Sequence, residues 1–350
     1  MRAGSLPDVS SRLRDAIIAR IRAHGPMPFD EFMELALYDP DDGFFSSASP
    51  ARPEGDFVTS PPLSPVFAGL LAVQARAAWD AMGKPDPFTV VDLGAGEGAL
   101  ARGIETAARS DDEFARALQV VAVERGEVAA NHLAASGLKT ASSLADVEPL
   151  TGVIIANELF DNVPYRLFAG DDEIKITEEG DRLIWQPLPP ASTRPVSPRS
   201  LDLIDHIARA LKRGYAFIID YGFTGNEEVE RTRGYREHRL VTDVLDDPGS
   251  SDITGPVDFD ALAARASANG LQTWGPVSQR DALMALGYRA TLDRMRADQQ
   301  LQEQAGEWRA AIAYYGERGQ AAMLVDPAGL GSLKMLVLGT DGLPEPRALG

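Results

Sequence analysis

Cysteine is absent from the 350-residue sequence. Disulfide bonds, thiolate metal sites and cysteine nucleophiles are therefore excluded. Histidine is also scarce, with four residues, and none of them lies in a cluster with the spacing of a metal site. We therefore expect no bound metal, and the chemistry has to come from carboxylates, amides, hydroxyl groups and the backbone.

Basic residues are outnumbered, with 34 Lys and Arg against 52 Asp and Glu, a formal net charge of -18. This balance opposes binding to nucleic acid or to an anionic membrane face and favours a basic partner, although acidity is also a common solubility trait. No segment reaches about 18 uninterrupted apolar residues, and the N-terminus lacks the apolar region of a signal peptide. We expect a soluble cytoplasmic protein without a nucleic-acid or membrane partner.

Hydrophobic residues make up 44% of the chain, enough to bury a full core, and the length suits one enlarged domain or a core with a cap. From Phe88 onward, strand-like segments alternate with helical ones. The strand-like segments are FTVVDL, LQVVAVE, GVIIAN and YAFIIDY. This alternation predicts an α/β fold with a mostly parallel sheet that is covered by helices on both faces.

A glycine-rich turn follows the first of these strands in VVDLGAGEGAL. Gly94 and Gly96 remove side chains where a ligand would approach the backbone at a helix N-terminus. The sequence of the turn fits two motifs. One is the G-x-G-x-x-A motif of dinucleotide-binding proteins, and the other, which starts at Asp92, is the D-x-G-x-G-x-G motif of S-adenosylmethionine-dependent methyltransferases. The turn predicts a nucleotide-containing cofactor without deciding which one.

Polar residues end the predicted strands. Glu124 closes the strand after the glycine turn, where a carboxylate accepts the hydrogen bonds of a ribose diol in either cofactor class. Asn157 and Asp220 end two further strands. Because ligands of such sheets bind beyond the carboxyl ends of the strands, we expect these residues and Asp92 to face one crevice. The alternative for each is a helix cap or a solvated strand end.

Six segments follow one another in an order typical of one family. They are GDFVTSPPLSPVF (55–67), VVDLGAGEGAL (90–100), IIANELFDNVPYRLF (154–168), FIIDYG (217–222), YREHRLVTDVLDDPGSSDIT (235–254) and DPAGLGSLKMLVLG (326–339). Together they resemble the MidA/NDUFAF7-like family of class I S-adenosylmethionine-dependent methyltransferases. The mitochondrial members are associated with symmetric dimethylation of an arginine in a subunit of respiratory complex I. The resemblance implies S-adenosyl-L-methionine as cofactor and a protein arginine as methyl acceptor.

The resemblance also implies a class I methyltransferase fold with a Rossmann-like, mostly parallel seven-stranded sheet and with helical N-terminal and inserted cap regions. We expect four regions along the chain. They are a helical region with a cofactor-covering loop at 1–85, the core at 86–224 with a β-meander inserted at about 165–188, a helical cap or substrate region at 225–318, and closing strands at 319–342. The segments AAMLVDP and LKMLVLG are predicted to form the closing antiparallel pair.

An arginine guanidinium must be gripped by carboxylates that polarise it and aim one nitrogen at the methyl group. Glu158, at the exit of the strand 152–157, is the first choice for that contact, and Asp161 is expected to supply a second carboxylate or else to fix the loop. Asn157 is expected to contact the methionine portion of the cofactor, or else to be a turn residue. Asp220 and Tyr221 are expected to line the acceptor pocket or to brace the loop.

Three further residues are candidates with open alternatives. Thr59 and Ser60 lie in the loop that the resemblance places over the cofactor, or they cap the helix that begins near Pro61. His238 is a candidate general base with Asp252 as its orienting partner, or a structural residue.

The chain differs from the usual family pattern at Pro62, Glu97, Gly255 and Pro256. Alternatives to an arginine methyltransferase are therefore an O- or N-methyltransferase of a small metabolite or peptide, a non-catalytic S-adenosylmethionine-binding assembly factor and, remotely, an NAD-dependent oxidoreductase. The expected partner is a protein or small-molecule methyl acceptor, together with a possible second copy of the chain in a homodimer.

Overall fold

The computed structural model describes residues 9–46, 60–190, 192–225, 227, 229, 231–236 and 239–350. Its strands are β1 Met27–Pro28, β2 Phe88–Leu93, β3 Leu118–Val123, β4 Lys139–Ala141, β5 Leu150–Asn157, β6 Arg166–Ala169, β7 Asp172–Glu179, β8 Arg182–Gln186, β9 Arg194–Val196, β10 Leu211–Asp220, β11 Gly222–Phe223, β12 Arg233–Arg236, β13 Arg239–Val241, β14 Asp252–Thr254, β15 Val257–Asp258, β16 Gln272–Ser278 and β17 Lys334–Gly339.

Its helices are α1 Val9–His24, α2 Phe29–Tyr38, α3 Ser60–Leu63, α4 Pro65–Ala81, α5 Ala99–Ala108, α6 Asp112–Ala117, α7 Glu127–Ala135, α8 Pro198–Ala210, α9 Phe259–Ala268, α10 Gln279–Ala285, α11 Tyr288–Gln304 and α12 Trp308–Met323. Among the described residues, no helix combines the length and the apolar character needed to cross a membrane.

A seven-stranded sheet forms the centre of the molecule, with strand order β16-β17-β10-β5-β2-β3-β4. The pairings from β10 through β5, β2 and β3 to β4 are all parallel, whereas β17 runs antiparallel to both of its neighbours. The predicted mostly parallel seven-stranded sheet is therefore confirmed. The carboxyl ends of the parallel strands meet at one edge, where the polar residues of the sequence are found.

Both faces of the sheet are covered by helices, and alternate residues of each strand point to opposite faces. In β2, Phe88 and Val90 pack in the cluster that contains α4 and α5, while Val91 and Leu93 pack in the cluster that contains α8 and α9. This arrangement explains why apolar residues of the strand occur at both odd and even positions rather than in strict alternation.

The prediction of the closing strand pair is wrong. The segment AAMLVDP lies at the end of α12 and just beyond it, and the antiparallel partner of β17 at the sheet edge is β16. Alanine favours the helix at Ala321 and Ala322. In β16, Gly275 and Pro276 interrupt the apolar pattern, and the pairing shifts register between Trp274 and Val277. Thus a core strand lies within the region 225–318 that was predicted to be a helical cap.

A smaller sheet sits beside the core with order β1-β7-β6-β9, and β8 pairs with β7. Strands β6 to β8 correspond to the predicted meander, but the sheet also recruits β1 from the N-terminal region and β9 from the connector at 187–200. Apolar side chains of α1 and α2, including Ile17 and Phe32, pack against Ile174 and Ile176 of β7. The N-terminal helices are thereby fixed to the insertion.

Candidate active site

The glycine-rich turn lies between β2 and α5 at the carboxyl edge of the central sheet. Gly94 and Gly96 have φ angles of 76° and 51°, in the left-handed region that favours glycine. A Cβ atom at Gly94 would lie 2.7 Å from Leu159 Cδ1, whereas one at Gly96 would meet no atom within 4 Å. Gly94 therefore lets the turn pack against Leu159, and Gly96 leaves open space in which a ligand can approach the backbone.

Asp92 is buried beneath this turn. Its Oδ2 accepts a hydrogen bond of 3.1 Å from the backbone N–H of Ala101, in the first turn of α5. Burial raises the pKa of Asp92 to about 7. The observed contact joins the strand to the helix N-terminus, and direct contact of Asp92 with a cofactor stays a prediction.

Glu124 follows β3 and lies beside the glycine-rich turn. Its Oε2 accepts a hydrogen bond of 3.1 Å from Gly96 N–H, and its Oε1 accepts one of 3.1 Å from Gly126 N–H. The side chain is partly exposed. The carboxylate and the open space above Gly96 thus adjoin each other, as the sequence pattern predicts for a ribose-binding edge.

A tight turn carries the chain out of β5. Glu158 has a φ angle of 50°, which non-glycine residues rarely adopt and which costs about 1–3 kcal/mol. Its backbone N–H donates a 2.8 Å hydrogen bond to the carbonyl of Ile219 in β10. A short 3-10 turn at Phe160–Asn162 follows. Backbone strain of this kind concentrates at functional sites and persists where neighbouring structure holds it.

Asp220, at the end of β10, fixes this turn. Its Oδ2 accepts hydrogen bonds from the backbone N–H groups of Leu159, Phe160 and Asp161 at 3.1, 2.8 and 3.3 Å, and its Oδ1 accepts one from Tyr221 N–H at 2.8 Å. The side chain is fully buried, and burial raises its pKa to about 7. Of the two roles expected for Asp220, the structure shows bracing of the loop.

The Glu158 carboxylate is held by two donors on a single oxygen. Oε1 accepts hydrogen bonds from Asn157 Nδ2 at 3.0 Å and from Ser60 N–H at 3.1 Å. Burial, and to a smaller extent the negative charges of Asp220 and Asp252, raise the pKa of Glu158 to about 8, although the hydrogen bonds from Ser60 and Asn157 lower it. The carboxylate is therefore fixed in position and easily protonated near neutral pH.

Ser60 contacts Glu158 through its backbone amide, at the start of α3. Its hydroxyl oxygen lies 3.3 and 3.4 Å from Nε2 and Oε1 of Gln279. Gln279 is fully buried, and its Nε2 also donates to the carbonyl of Leu324 at 3.0 Å. Sequence reasoning missed Gln279, because a glutamine at a helix start, 219 residues from Ser60, carries no local signal. Thr59, expected with Ser60, lies outside the described residues.

Two buried oxygens in this crevice have no hydrogen-bond partner, namely Oδ1 of Asn157 and Oδ1 of Asp161. A buried acceptor without a donor is costly, at about 1–3 kcal/mol, and is usually explained by a ligand, water or ion. Asp161 is only 6% exposed, and burial together with the charges of Asp220 and Asp252 raises its pKa well above the usual value. Both oxygens are therefore candidates for ligand contacts.

Asp161 lines a cavity of about 40 Å³ on the side of the turn facing the segment 231–256. The other lining residues are Tyr221, Gly222, Arg231, Arg233, Tyr235, Thr254, Gly255 and Pro256. His238 lies outside the described residues, so its expected role as a base stays a prediction. Two tyrosines and two arginines thus share the cavity with the buried carboxylate.

Two of the positions at which the chain differs from the usual family pattern, Gly255 and Pro256, lie in this cavity wall. A Cβ atom at Gly255 would lie 2.3 Å from the ring of Tyr165, and the N–H of Gly255 donates a 2.9 Å hydrogen bond to the carbonyl of Asp161. These two differences therefore lie next to Asp161, whereas the hydrogen bond between Glu124 and Gly96 involves neither of them.

A family model described as "Putative S-adenosyl-L-methionine-dependent methyltransferase" matches residues 70–182 and 175–277. The chain belongs to this family. It is therefore an S-adenosylmethionine-dependent methyltransferase, as the resemblance of the motifs predicts. The matched region includes the glycine-rich turn, Glu124, the β5 exit turn and Asp220.

Two curated relatives are similar over most of the chain. The protein arginine methyltransferase NDUFAF7 homolog, mitochondrial, of Drosophila melanogaster is 29% identical, covering 83% of this chain and 80% of the relative. The human protein arginine methyltransferase NDUFAF7, mitochondrial, is 27% identical, covering 77% and 72%. The names of these relatives place them in mitochondria, and the cytoplasmic location expected for this chain stays a prediction.

A solved structure has the same fold. It is that of a COG1565 superfamily member from Burkholderia thailandensis bound to S-adenosyl-homocysteine, with 24% identity, a TM-score of 0.82 and coverage of 99% of this chain and 97% of that one. A second structure of a COG1565 superfamily protein from the same organism gives a TM-score of 0.80. The helical N-terminal region, the insertion and the central sheet therefore recur together in one architecture.

Proposed function

We propose that this methyltransferase transfers the methyl group to the guanidinium of an arginine in a protein. The observation that carries the proposal is the pair of carboxylates, Glu158 and Asp161, held by one braced turn at the carboxyl edge of the sheet. The names of the curated relatives support the same acceptor. A net charge of -18 is compatible with a basic protein substrate.

S-adenosylmethionine supplies an electrophilic methyl group and a neutral thioether as leaving group. The residues on the cofactor side of the turn fit its polar parts. Glu124 accepts hydrogen bonds beside the open space at Gly96, which suits a ribose diol. The unpartnered Oδ1 of Asn157 suits the ammonium group of the methionine portion.

On the acceptor side, a guanidinium presents five N–H donors and stays charged at neutral pH. Glu158 keeps Oε1 on Asn157 and Ser60, so Oε2 is the oxygen that would accept from the guanidinium. Asp161 offers its unpartnered Oδ1 as a second acceptor. A bound cation lowers the pKa of Glu158 from about 8, which favours the charged form that grips the substrate.

The chemical step forms an N–C bond as the S–C bond breaks. The attacking nitrogen loses one proton, and the product guanidinium remains a cation. Glu158 is placed to receive that proton, because burial raises its pKa above the usual value of a carboxyl group and so makes it a stronger base than an exposed glutamate. The other contribution to catalysis is positioning by the braced turn, because a methyl transfer needs the nitrogen at near-attack distance from the methyl carbon.

A second candidate acceptor is a small molecule or peptide that carries a carboxylate. The observation in its favour is the cavity beside Asp161, which Arg231 and Arg233 also line. Arginine side chains recognise carboxylates. A cavity of about 40 Å³ also suits a small group better than an extended peptide.

Labelling separates these acceptors. The purified chain is incubated with S-adenosylmethionine carrying a radioactive methyl group and with host lysate fractionated by size. The proposal predicts label in the protein fraction, recovered as methylarginine after hydrolysis. Label confined to the small-molecule fraction would instead establish the second candidate.

The remaining expectations about partners and location are also proposals. We propose a cytoplasmic protein that binds neither nucleic acid nor membranes, which the excess of acidic residues supports. Cell fractionation with an antibody against the chain tests the location, and recovery in the membrane pellet would reject it.

A further inference from the structure

Helix α12 carries an unusually apolar exposed face. Trp308, Ile312 and Tyr315 are 64%, 70% and 69% exposed, and Met323 and Leu301 of the adjoining helix are 46% and 60% exposed. The described residues include ten large apolar side chains that are exposed, and these five, half of the set, all lie on the hairpin of α11 and α12. The other five are Phe45, Val73, Val128, Leu188 and Leu240. Their combined area of roughly 600 Å² matches the largest patches that monomers normally expose.

The spacing on this face is that of a coiled-coil seam. Trp308, Ile312, Tyr315, Gly319 and Ala322 are separated by four, three, four and three residues, and all five are exposed. Repeats of this kind bring one helix against another along a narrow apolar stripe. Ala321, on the far side of α12 from Ile312, is fully buried in the protein, and Ala311, which borders the seam, is also buried. The seam is therefore available for a helix from outside the chain.

The shape of the seam is complementary to itself. Its first half is bulky, with Trp308, Ile312 and Tyr315, whereas its second half is small, with Gly319 and Ala322. A Cβ atom at Gly319 would meet no atom within 4 Å, so this position leaves a gap on the surface of the helix. Antiparallel pairing of two copies would set Trp308 of one against Gly319 of the other, and Ile312 against Tyr315.

We propose that α12 is the interface of a two-fold symmetric homodimer, in which the α12 helices of two copies of this chain pair antiparallel. Such an interface is isologous, so each of the two contacts occurs twice. The patch provides most of the roughly 800 Å² per partner of a standard interface, so a dissociation constant in the micromolar range is expected. An anionic membrane is a poorer occupant, because Arg309 is the single basic residue on the exposed face and the chain carries a net charge of -18.

Sedimentation velocity on the full-length chain, from about 1 µM to about 500 µM, measures the dimer directly. The proposal predicts a concentration-dependent dimer, and a monomer throughout that range would overturn it. Gly319→Leu tests the shape argument. A Cβ atom at this exposed position meets no atom within 4 Å in the monomer, and leucine favours the helix over glycine, so the melting temperature should be unchanged or higher. In the dimer the leucine would fill the gap that receives Trp308.

Gly319→Leu is expected to raise the dissociation constant at least about tenfold. The matched control is Leu188→Lys, in the connector after β8, which is 79% exposed and outside the seam. It should leave the dissociation constant unchanged. A dimer that responds equally to both substitutions, or to neither, would overturn the assignment of the interface to α12.

A charge pair tests the antiparallel register. Ile312→Lys and Tyr315→Glu each place an unpaired charge in the seam, so each variant alone is expected to be monomeric. In a mixture, Lys at 312 of one chain faces Glu at 315 of the other, while Tyr315 of the first faces Ile312 of the second. The mixture should therefore form a heterodimer. Failure to form one, in variants that remain folded, would overturn the antiparallel pairing.

Discussion

The substitution Asp220→Asn tests whether the buried carboxylate holds the turn that presents Glu158. In the native protein Oδ2 accepts from three backbone N–H groups and Oδ1 from that of Tyr221. An amide can keep its oxygen toward the three donors but must then turn its NH₂ group toward Tyr221 N–H. The hydrogen bond from Tyr221 N–H is then replaced by a contact between two donors. The other three N–H groups donate to a neutral amide oxygen instead of a charged carboxylate oxygen.

The lost bond and the weakened ones together cost about 3 kcal/mol of unfolding free energy. For a chain of this length such a loss lowers the melting temperature by about 4 °C. The turn is also less well fixed, and misplacement by a fraction of an ångström lowers kcat by roughly tenfold or more. Binding of S-adenosyl-homocysteine should change less than kcat, because the hydrogen bond between Glu124 and Gly96 does not involve Asp220.

Three assays follow the Asp220→Asn variant, namely differential scanning calorimetry, calorimetric titration with S-adenosyl-homocysteine, and radiolabelled methyl transfer. Asp298→Asn, at an exposed position in α11, is the matched control and should leave all three results unchanged. A variant with native melting temperature and native kcat would refute the bracing role. Loss of S-adenosyl-homocysteine binding would show instead that Asp220 belongs to the cofactor side.

Three further predictions concern the glycine-rich turn, the contact between Ser60 and Gln279, and pH. Gly96→Ala should weaken S-adenosyl-homocysteine binding in calorimetry and lower the melting temperature only through its left-handed φ angle. Gly94→Ala has the same backbone cost and in addition overlaps Leu159, so it should lower the melting temperature more; equal effects of both on stability would contradict this distinction. Gln279→Leu removes the contact that holds Ser60, and the backbone N–H of Ser60 lowers the pKa of Glu158. The variant should therefore have a lower kcat, and the rise of its pH–rate profile should move to higher pH. A pH–rate profile that does not move would count against a role for this contact. Burial raises the pKa values of Asp92 and Asp220 from 3.8 to about 7, so the stability that their protonated forms contribute is fully present below about pH 4 and is lost as pH rises from there to 7. The melting temperature of the ligand-free protein should therefore fall between about pH 5 and pH 7 and then level off, less steeply in Asp220→Asn, and a rise would contradict the assignment.

Sequence patterns predicted the central sheet because buried parallel strands read as apolar runs and the helices between them have their own periodicity. They also predicted that Asp92, Glu124, Asn157 and Asp220 would lie at one edge, since the carboxyl ends of parallel strands do so in any such sheet. The strand β16 escaped prediction because glycine and proline break its pattern.

Other features depend on contacts that no local pattern encodes. Asp92 and Asp220 end strands just as Glu124 does, yet both are buried and bind backbone N–H groups of the following or neighbouring turn. The direction of a side chain at a strand end depends on the path of the chain after it. The contact between Ser60 and Gln279 joins distant segments and becomes visible only in three dimensions.

The central claim is that Glu158 is the acceptor-side carboxylate of this methyltransferase. The most direct test is the rate of methyl transfer by Glu158→Gln to an acceptor that the native protein methylates, combined with its affinity for S-adenosyl-homocysteine. The variant keeps an acceptor oxygen for Ser60 and Asn157 but loses the charge and the proton acceptor. We predict a fall in kcat of at least about 100-fold with affinity for S-adenosyl-homocysteine within about threefold of native. A variant with native kcat, or one that loses affinity and rate in parallel, would contradict the claim.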